Sequence, residues 1–346
     1  GRNGQGKTNL AEALAYLATL SSFRGAPADA LVRAGSDSGI IRATIREDDD
    51  RQVLIEAELA RVGRNRVQVN RQKLTRVRDL LGVMRVSVFA PDDLIIIKGG
   101  PSERRRFLDD ALVALKTSYD AMRLELERIV RQRNSLLKQS GGRLTDEVAI
   151  TLDVLNASHS QQREQHANAS ATLEARCQPM VSEAYEQLAG ETAPIELQYE
   201  PEWRRTGLVQ ALAESRTMDL RRGVSTVGPQ RDEVSIGVNG LPARTHASQG
   251  EQRTLALAMR LAVHRLVAER TGSTPVLVLD DVLSELDPER ATALLGNLPP
   301  VQVVITSASP LPPAANADRI IEIRSGSVLG DSSIDSLDDS SPDDQP

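Results

Sequence analysis

The first eight residues, GRNGQGKT, constrain the fold of this chain more than any other part of its sequence. They satisfy the pattern G-x-x-x-x-G-K-[ST] in full, and helix-forming residues follow from Asn9 to Leu20. Glycines at these positions let backbone N–H groups wrap a phosphate at a helix N-terminus. The pattern predicts that Lys7 reaches the β- and γ-phosphates of a nucleotide and that Thr8 ligates Mg²⁺. The predicted nucleotide-binding residues are Gly1, Arg2, Asn3, Gly4, Gln5, Gly6, Lys7 and Thr8.

Two adjacent carboxylates end the apolar run VLVLDD at 276–281. Asp280 is expected to hold Mg²⁺ through its water shell. Asp281 then lies where a carboxylate could orient or deprotonate an attacking water. A strand that simply ends in the N-cap of the next helix is the alternative for this run alone. Its pairing with the phosphate loop favours nucleotide hydrolysis.

A second glycine-containing helix start, SQGEQR at 248–253, lies about 30 residues before the paired carboxylates. One triphosphate needs only one phosphate cradle. We therefore expect Ser248 and Gly250 to serve the nucleotide of a partner copy. Taken alone the segment is weak evidence, because a serine-capped helix start is commonplace.

Hydrophobic periodicity divides the chain into strand-rich and helical parts. Gly141 and Gly142 separate two long helices, which predicts an antiparallel helical arm. The middle of the second long helix, 156–172, is polar and is expected to be weakly packed or to face solvent. The predicted helices are 9–20, 101–139, 145–188 and 248–269. The predicted strands are 40–46, 53–59, 65–70, 83–89, 194–199, 234–238, 275–281, 301–306 and 319–324.

The acidic charge of the chain is concentrated at its C-terminal end. Residues 330–346 contain six aspartates and no lysine or arginine, which accounts for the whole formal net charge of −6. Residues 1–329 are formally neutral, so the negative net charge of the chain does not argue against nucleic-acid binding. This segment has almost nothing to bury and is expected to be disordered.

Other composition features exclude several classes of protein. The single cysteine, Cys177, excludes an internal disulfide framework and a cysteine-cluster metal site. No apolar run is long enough to span a membrane, and no signal peptide opens the sequence. A cytoplasmic protein without a membrane partner is expected.

Two basic segments are candidates for contacts with DNA. Residues 61–78 carry six arginines and one lysine without an acidic residue. On a strand pair, alternation would place several of them on one face, suited to DNA phosphates. An ordinary solvated hairpin is an equal alternative. Arg104, Arg105 and Arg106 open the predicted arm, and structural ion pairs are equally expected of them.

Together these motifs resemble the ATP-binding-cassette heads of the structural-maintenance and double-strand-break-repair ATPases, and most closely the RecF family. The loop GRNGQGKTNL is similar to that family's GxNGxGKTN, and VFAPDDLIIIKGGPSERRRFLDD at 88–110 is the most specific segment. SQGEQRTLALAMRLA at 248–262 matches the signature helix, and LDDVLSELDPER at 279–290 matches the Walker B and D-loop run. GPQRDE at 228–233 resembles GPHRDD. The resemblance covers residues 1–325.

The resemblance implies an α/β fold: a P-loop ABC-type ATPase head, built on a mixed sheet with helices, with an inserted antiparallel helical arm domain. The head would comprise residues 1–100 and 195–329, and the arm residues 101–194. The acidic tail, 330–346, would lie outside both.

The resemblance also implies a role for each motif. Two heads would close on two ATP molecules, with Ser248 and Gly250 of one copy at the γ-phosphate held by Lys7 of the other. Asp287 would lie at that interface in the D-loop. Thr306 ends a strand where transporter-type heads often carry a switch histidine.

The implied protein is an ATP-dependent homodimer of recombinational DNA repair. It would recognise gapped or junction DNA and help RecO and RecR to load RecA. Asp281 stands where such heads usually carry glutamate, and aspartate is one methylene shorter. We therefore expect a weak, DNA-dependent ATPase that acts as a dimerisation switch.

Two departures and several alternatives remain open. The phosphate loop should follow a buried strand, yet nothing precedes Gly1, so the sequence is expected to begin short. No Gln-loop glutamine follows the 83–89 strand, and that role is unassigned. The alternatives are another SMC-like cassette ATPase of DNA repair, a non-hydrolysing DNA-binding scaffold, and a transporter ATP-binding subunit. The last would need a conventional LSGGQ and no long arm.

Overall fold

The computed structural model describes residues 4–47, 49–199 and 201–333 of the chain. Its α-helices are α1 (Lys7–Thr19), α2 (Ile95–Lys98), α3 (Pro101–Leu115), α4 (Ser118–Gln139), α5 (Asp146–Ala189), α6 (Leu208–Glu214), α7 (Arg216–Arg222), α8 (Ala243–His246), α9 (Gln249–Thr271) and α10 (Pro288–Gly296). Its strands are β1 (Ser38–Arg46), β2 (Gln52–Ala60), β3 (Arg66–Val69), β4 (Gln72–Lys73), β5 (Val86–Phe89), β6 (Ile195–Gln198), β7 (Ser235–Val238), β8 (Leu241–Pro242), β9 (Val276–Asp280), β10 (Val303–Thr306), β11 (Arg319–Arg324) and β12 (Ser327–Ser333).

The first of two compact units contains Gly1–Asp92 and Thr274–Pro346. It holds an antiparallel sheet in the order β1-β2-β3-β4, a parallel sheet in the order β10-β9-β5, and the hairpin β11-β12. Helix α1 packs against all three parallel strands. It also buries Tyr16 and Leu17 in one core cluster with Ile55 and Leu59 of β2. These contacts fix the helix that the phosphate loop precedes.

The parallel sheet brings together strands that are distant in the sequence. Parallel strands place their carboxyl ends at the same edge of a sheet. The register pairs Thr306 of β10 with Asp280 of β9, and Phe89 of β5 with Leu279. The edge therefore carries the predicted carboxylates beside Thr306.

The second compact unit, Asp93–Ser273, is mainly helical. Helix α5 packs against α3, α4 and α9, and β6-β7-β8 form a small antiparallel sheet. Gly141 and Gly142 take φ angles of 57° and 81° in the turn between α4 and α5, which is where the sequence predicted a break. The predicted helix 101–139 is two helices, because the backbone is extended at Lys116.

One face of the polar middle of α5 is buried, so the expectation that 156–172 is weakly packed or solvent-facing holds only for the opposite face, where Gln162, Gln165 and Asn168 are exposed. Asn156, Arg163, His166 and Ser170 are each at most 6% exposed. Neighbouring helices supply polar partners for part of this stretch: Asn156 Oδ1 accepts from Arg133 of α4, and His166 Nε2 lies 2.8 Å from Asp109 of α3. Polarity on the buried face reflects in part these pairs between helices.

The compact units divide the chain differently from the predicted head and arm. Residues 195–273, predicted as head, fall in the unit of α4 and α5, because α9 packs along α5. Strand β12 also reaches Ser333, so residues 330–333 form a strand and not the start of a disordered tail. Residues 334–346 lie outside the described part. Within that part, no helix has the length and apolar character needed to span a membrane.

Candidate nucleotide-binding site

The phosphate loop turns into α1 through two glycines with left-handed backbones. Gly4 has a φ of 74° and Gly6 a φ of 103°, which residues with a Cβ rarely adopt. Gly6 is the N-cap residue of α1, and no side chain caps the helix or adds an acidic group to its first turn. Among the described residues, a helix start without a side-chain cap and without an acidic first turn is the arrangement that favours an anion. Gly1, Arg2 and Asn3 lie outside the described residues.

Gln5 uses both of its oxygens within the protein. Its carbonyl oxygen accepts from the Gly326 N–H at 2.9 Å, and its Oε1 accepts from the Ser325 N–H at 2.8 Å. The side chain of this predicted nucleotide-binding residue is thus directed to the β11-β12 turn. This turn was not predicted from the sequence, although the dipeptide Ser325-Gly326 is itself a turn signal.

The edge of the parallel sheet holds Asp280 and Thr306 in direct contact. Thr306 Oγ1 donates to Asp280 Oδ1 at 2.7 Å, and both side chains are buried. Asp280 is thereby fixed at the end of β9, as a residue that positions Mg²⁺ requires. Thr306 was predicted to occupy a switch position. In the structure its side chain contacts Asp280, the candidate Mg²⁺-binding residue.

Asp281 is held in a backbone conformation that is strained for a non-glycine residue. Its φ is 53°, a conformation that costs about 1–2 kcal/mol. Its N–H donates to the carbonyl oxygen and Oγ1 of Thr306 at 3.1 and 3.2 Å. Its Oδ1 is buried and has no hydrogen-bond partner among the described residues. Such a carboxylate has capacity to accept a proton or a hydrogen bond from a water in the site.

The residues present fit a nucleotide with Mg²⁺. No cluster of three or more His, Cys, Asp or Glu side chains forms a metal cage among the described residues. A magnesium ion bound with a nucleotide needs only one or two protein ligands, because waters and phosphates complete its shell. Thr8 and Asp280 supply ligands of the type expected.

Ser248 caps the helix α9 of the second unit. Its Oγ accepts from the Glu251 N–H at 3.3 Å, and Glu251 Oε2 accepts from the Ser248 N–H at 2.7 Å. This reciprocal pair is a capping box, as the sequence predicted in part. Ser248 is exposed, and Gly250 lies in the first turn. Its contact with a second copy stays a prediction.

Asp287 caps the start of α10. Its Oδ1 accepts from the Arg290 N–H at 2.9 Å, and its Oδ2 lies 2.7 Å from Arg290 Nη1. The backbone N–H bond in particular, with the Arg290 guanidinium, lowers the pKa of this carboxyl. Its place at a dimer interface stays a prediction.

The two basic segments differ in how their side chains are used. Arg104 is buried and its Nη2 lies 2.6 Å from Glu233, so it serves a structural ion pair. In the 61–78 segment, Arg61 donates to the carbonyl oxygens of Val32, Arg33 and Ser36. The exposed side chains of this segment include Arg64, Arg71 and Lys73.

Comparisons with known proteins agree with this geometry. The family described as "RecF/RecN/SMC N terminal domain" matches residues 1–326. The chain is 43% identical over 324 residues to the "DNA replication and repair protein RecF" of Streptomyces avermitilis, covering 89% of this chain and 86% of that relative. It is 36% identical over 359 residues to the protein of the same description from Cutibacterium acnes, covering 95% and 91%.

Solved structures give the same result for the fold. The structure described as "the recombination mediator protein RecF-ATP in RecFOR pathway" aligns with a TM-score of 0.84 at 29% identity, covering 95% of this chain and 89% of that one. An Smc head bound to the C-winged helix domain of ScpA aligns at 0.55 with 17% identity, covering 96% and 89%, which shows the fold alone. The predicted class, an α/β ABC-type ATPase head, is confirmed.

Proposed function

Because the chain belongs to the RecF family of DNA replication and repair proteins, we propose that it is an ATP-dependent DNA-binding protein of recombinational repair. One observation carries the nucleotide part of this proposal. Within the part of the chain that the structure describes, Asp281 has a buried carboxylate oxygen without a hydrogen-bond partner, at a sheet edge where Thr306 also fixes Asp280. The phosphate loop of the same unit supplies a helix start suited to phosphate.

Each residue of the site has a defined task in the proposal. The N–H groups at the start of α1 and the ammonium group of Lys7 bind the β- and γ-phosphates. Thr8 and Asp280 hold Mg²⁺, which when bound neutralises charge between the two phosphates. Asp281 orients or deprotonates the attacking water. Its short side chain holds that water less closely than glutamate would, which predicts slow turnover.

The dimer part of the proposal uses the exposed start of α9. Ser248 and Gly250 of one copy would donate to the γ-phosphate held by Lys7 of the other, and Asp287 would lie at the same interface. ATP then favours the closed dimer and hydrolysis favours its opening. The exposed capped start of α9 supports this arrangement.

The DNA part of the proposal follows the family. The solved relative is described as a recombination mediator of the RecFOR pathway. By analogy this chain would bind gapped or junction DNA in the cytoplasm and work with RecO and RecR to load RecA. Its exposed basic hairpin around Arg71 is the candidate surface for DNA phosphates.

Equilibrium ATP binding and single-turnover hydrolysis test the nucleotide part. Lys7→Met should weaken binding of ATP with Mg²⁺ strongly, whereas Asp281→Asn should keep binding and slow hydrolysis by about 100-fold or more. Lys73→Met, the same substitution at an exposed lysine, is the matched control and should change neither when both are measured without DNA. Equal ATP affinity in Lys7→Met and the unsubstituted chain would overturn the proposal.

A further inference from the structure

A two-residue turn, Ser325 and Gly326, joins β11 to β12 and contacts the phosphate loop within the same compact unit. We call it the hairpin turn. Its φ angles are 51° and 76°, both left-handed, as the tight turns of twisted hairpins require. Two separate observations connect this turn to the loop.

The first is a pair of hydrogen bonds to one residue. The N–H groups of Ser325 and Gly326 donate to Gln5 Oε1 at 2.8 Å and to the Gln5 carbonyl oxygen at 2.9 Å. Because both acceptors belong to Gln5, the turn fixes the backbone and the side chain of this residue together. Gln5 lies between the two left-handed glycines of the loop.

The second observation is close packing at Gly6. A Cβ placed on Gly6 would lie 3.3 Å from the Cα of Gly326 and 3.7 Å from its nitrogen. The first distance is tighter than ordinary van der Waals contact, and the neighbour is backbone, which has little room to move. The hairpin turn therefore lies directly against the residue that precedes Lys7.

We propose that the hairpin turn holds the phosphate loop in the conformation that binds a triphosphate, and that Gln5 is the positioning residue through which it acts. The side chain of Gln5 is then a link to the turn rather than a nucleotide contact. The proposal rests on the proposed function, since it requires that the loop binds ATP.

The physical reason is the flexibility of a glycine-rich loop. Fixing such a backbone costs conformational entropy. A loop that is already fixed by the turn does not incur that cost when the nucleotide binds. The coupling is reciprocal: if the turn raises ATP affinity by some factor, ATP stabilises the loop–turn contact by the same factor. ATP should therefore protect the amides of Ser325 and Gly326 from exchange.

The first test measures ATP affinity in Gln5→Met, which keeps the length of the side chain and removes the Oε1 acceptor. Loss of one such hydrogen bond should weaken ATP binding roughly fivefold. Arg324→Gln is the matched control, because this exposed residue precedes the turn and its guanidinium pairs with Glu322. The control should bind ATP as the unsubstituted chain does. Thermal unfolding of all three proteins shows whether a change in affinity reflects a change in folding.

The second test measures hydrogen–deuterium exchange, first in the unsubstituted chain and then in Gln5→Met. Hydrogen–deuterium exchange of a peptide covering 319–333 should slow when ATP and Mg²⁺ are added to the unsubstituted chain, and should respond much less in Gln5→Met. A peptide covering β2, which carries none of the proposed nucleotide-binding residues, reports the stability of the same unit. A general loss of stability would change both peptides, whereas a positioning role changes the response of the turn to ATP.

The outcomes separate this proposal from the proposed function. If the unsubstituted chain binds no ATP, both are overturned. If it binds ATP while exchange at 319–333 is unchanged, or if Gln5→Met binds ATP with unchanged affinity, only the positioning role is overturned. A weaker affinity together with loss of the exchange response would establish it.

Discussion

At the scale of single residues, two arginines of the second unit occupy very different environments although both are buried. Arg133 is neutralised by Asp219 at 2.8 Å and also donates to Ser225 and Asn156. Arg163 is 2% exposed, and none of its Nε, Nη1 and Nη2 atoms, all buried, has a hydrogen-bond partner in the described ranges. Burial, with a smaller contribution from the charge of Arg133, lowers the pKa of Arg163 to about 10. The buried charge of Arg163 therefore destabilises the folded state.

Replacing Arg163 with methionine should stabilise the protein or leave its stability unchanged. The substitution removes a buried charge and keeps most of the side-chain volume. Replacing buried charged groups by apolar side chains of similar volume can raise the free energy of unfolding by up to about 4 kcal/mol. Urea unfolding at neutral pH measures the free energy of unfolding. Arg133→Met is the contrasting variant and should cost about 3–5 kcal/mol, because it leaves Asp219 buried without its partner. A large loss in Arg163→Met would contradict the expectation.

Burial of His264 should make the stability of the folded chain depend on pH. His264 of α9 is 1% exposed, and burial, followed by the nearby charge of Arg265, lowers its pKa to about 4. The unfolded chain, with a histidine pKa near 6.5, binds more protons than the folded chain between these two values. Stability contributed by neutral His264 should therefore fall as the pH drops from about 6.5 to about 4, by about 3 kcal/mol in total.

The difference between two unfolding profiles isolates this residue from the carboxylates that titrate in the same range. The free energy of unfolding of the unsubstituted chain and of His264→Gln should converge as the pH is lowered through this window. Parallel profiles from pH 7 to pH 4 would show that His264 is not the cause.

Sequence patterns name candidate residues for the chemistry, and they say little about the surroundings of those residues. Lys7, Thr8 and Asp280 follow from patterns in which the reaction itself dictates residue type and spacing. The burial of Arg163 could not be predicted, because polar residues are mostly exposed and only tertiary partners override that rule. The contact of Thr306 with Asp280 depends on a strand register between segments that are 26 residues apart, which local sequence does not specify.

At the scale of elements, the basic hairpin β3-β4 presents its charge at a tight turn. Asn70 and Arg71 form that turn with φ angles of 51° and 65°. Lys73 pairs with Gln68 across the hairpin, on the exposed side. Arg66 shares this side and lies 3.4 Å from Glu58 of β2. The hairpin thus offers cations to a polyanion, while its buried Val67 anchors it to the core.

Salt dependence tests whether this hairpin contacts DNA phosphates. The triple variant Arg64→Gln, Arg71→Gln and Lys73→Gln should reduce the slope of log K against log salt by up to about 3, since each phosphate contact contributes about 0.9. Arg42→Gln, on β1 of the same sheet and paired with Glu56, should leave the slope unchanged. Duplex DNA binding between low and moderate salt is the measurement. An unaltered slope in the triple variant would identify the segment as an ordinary solvated hairpin.

The predicted helices and strands match the structure where hydrophobic periodicity is strong. They differ where a local contact determines the secondary structure. The strands at 40–46 and 53–59 and the helix at 248–269 are found within a few residues of their predicted bounds. The break between α3 and α4 has neither Gly nor Pro to announce it. Strand β12 was not predicted because its sequence, SVLGDSS, has little β-propensity. Its pairing with β11 stabilises the strand conformation instead.

At the scale of the whole molecule, the central prediction is an ATP-dependent dimer. In an Asp281→Asn background, which slows hydrolysis, ATP with Mg²⁺ should double the solution mass from 37.6 kDa. Ser248→Arg should keep the monomer, because a long cation replaces the hydroxyl at the exposed start of α9. Ser248→Thr, which retains a capping hydroxyl, should still dimerise. Light scattering with and without ATP is the measurement, and a monomer in every condition despite bound ATP would contradict the shared site.

Whole-molecule organisation was predictable only through resemblance. Periodicity alone shows segments of strands and helices, and it does not show that β5, β9 and β10 form one parallel sheet from three distant parts of the chain. The resemblance implied a mixed sheet with helices and did not say which strands pair. The grouping of 195–273 with α5 depends on helix packing over long sequence separations.

The contact between Gln5 and the Ser325–Gly326 turn has a consequence for how the protein is made. The two partners are separated by 320 residues, and synthesis from the N-terminus produces one long before the other. A growing chain would carry an unsupported phosphate loop until almost all of its sequence has emerged. If the loop depends on the turn as proposed, the nucleotide site is completed only after residue 326 has been synthesised, and nascent fragments that lack the hairpin should compete poorly for cellular ATP.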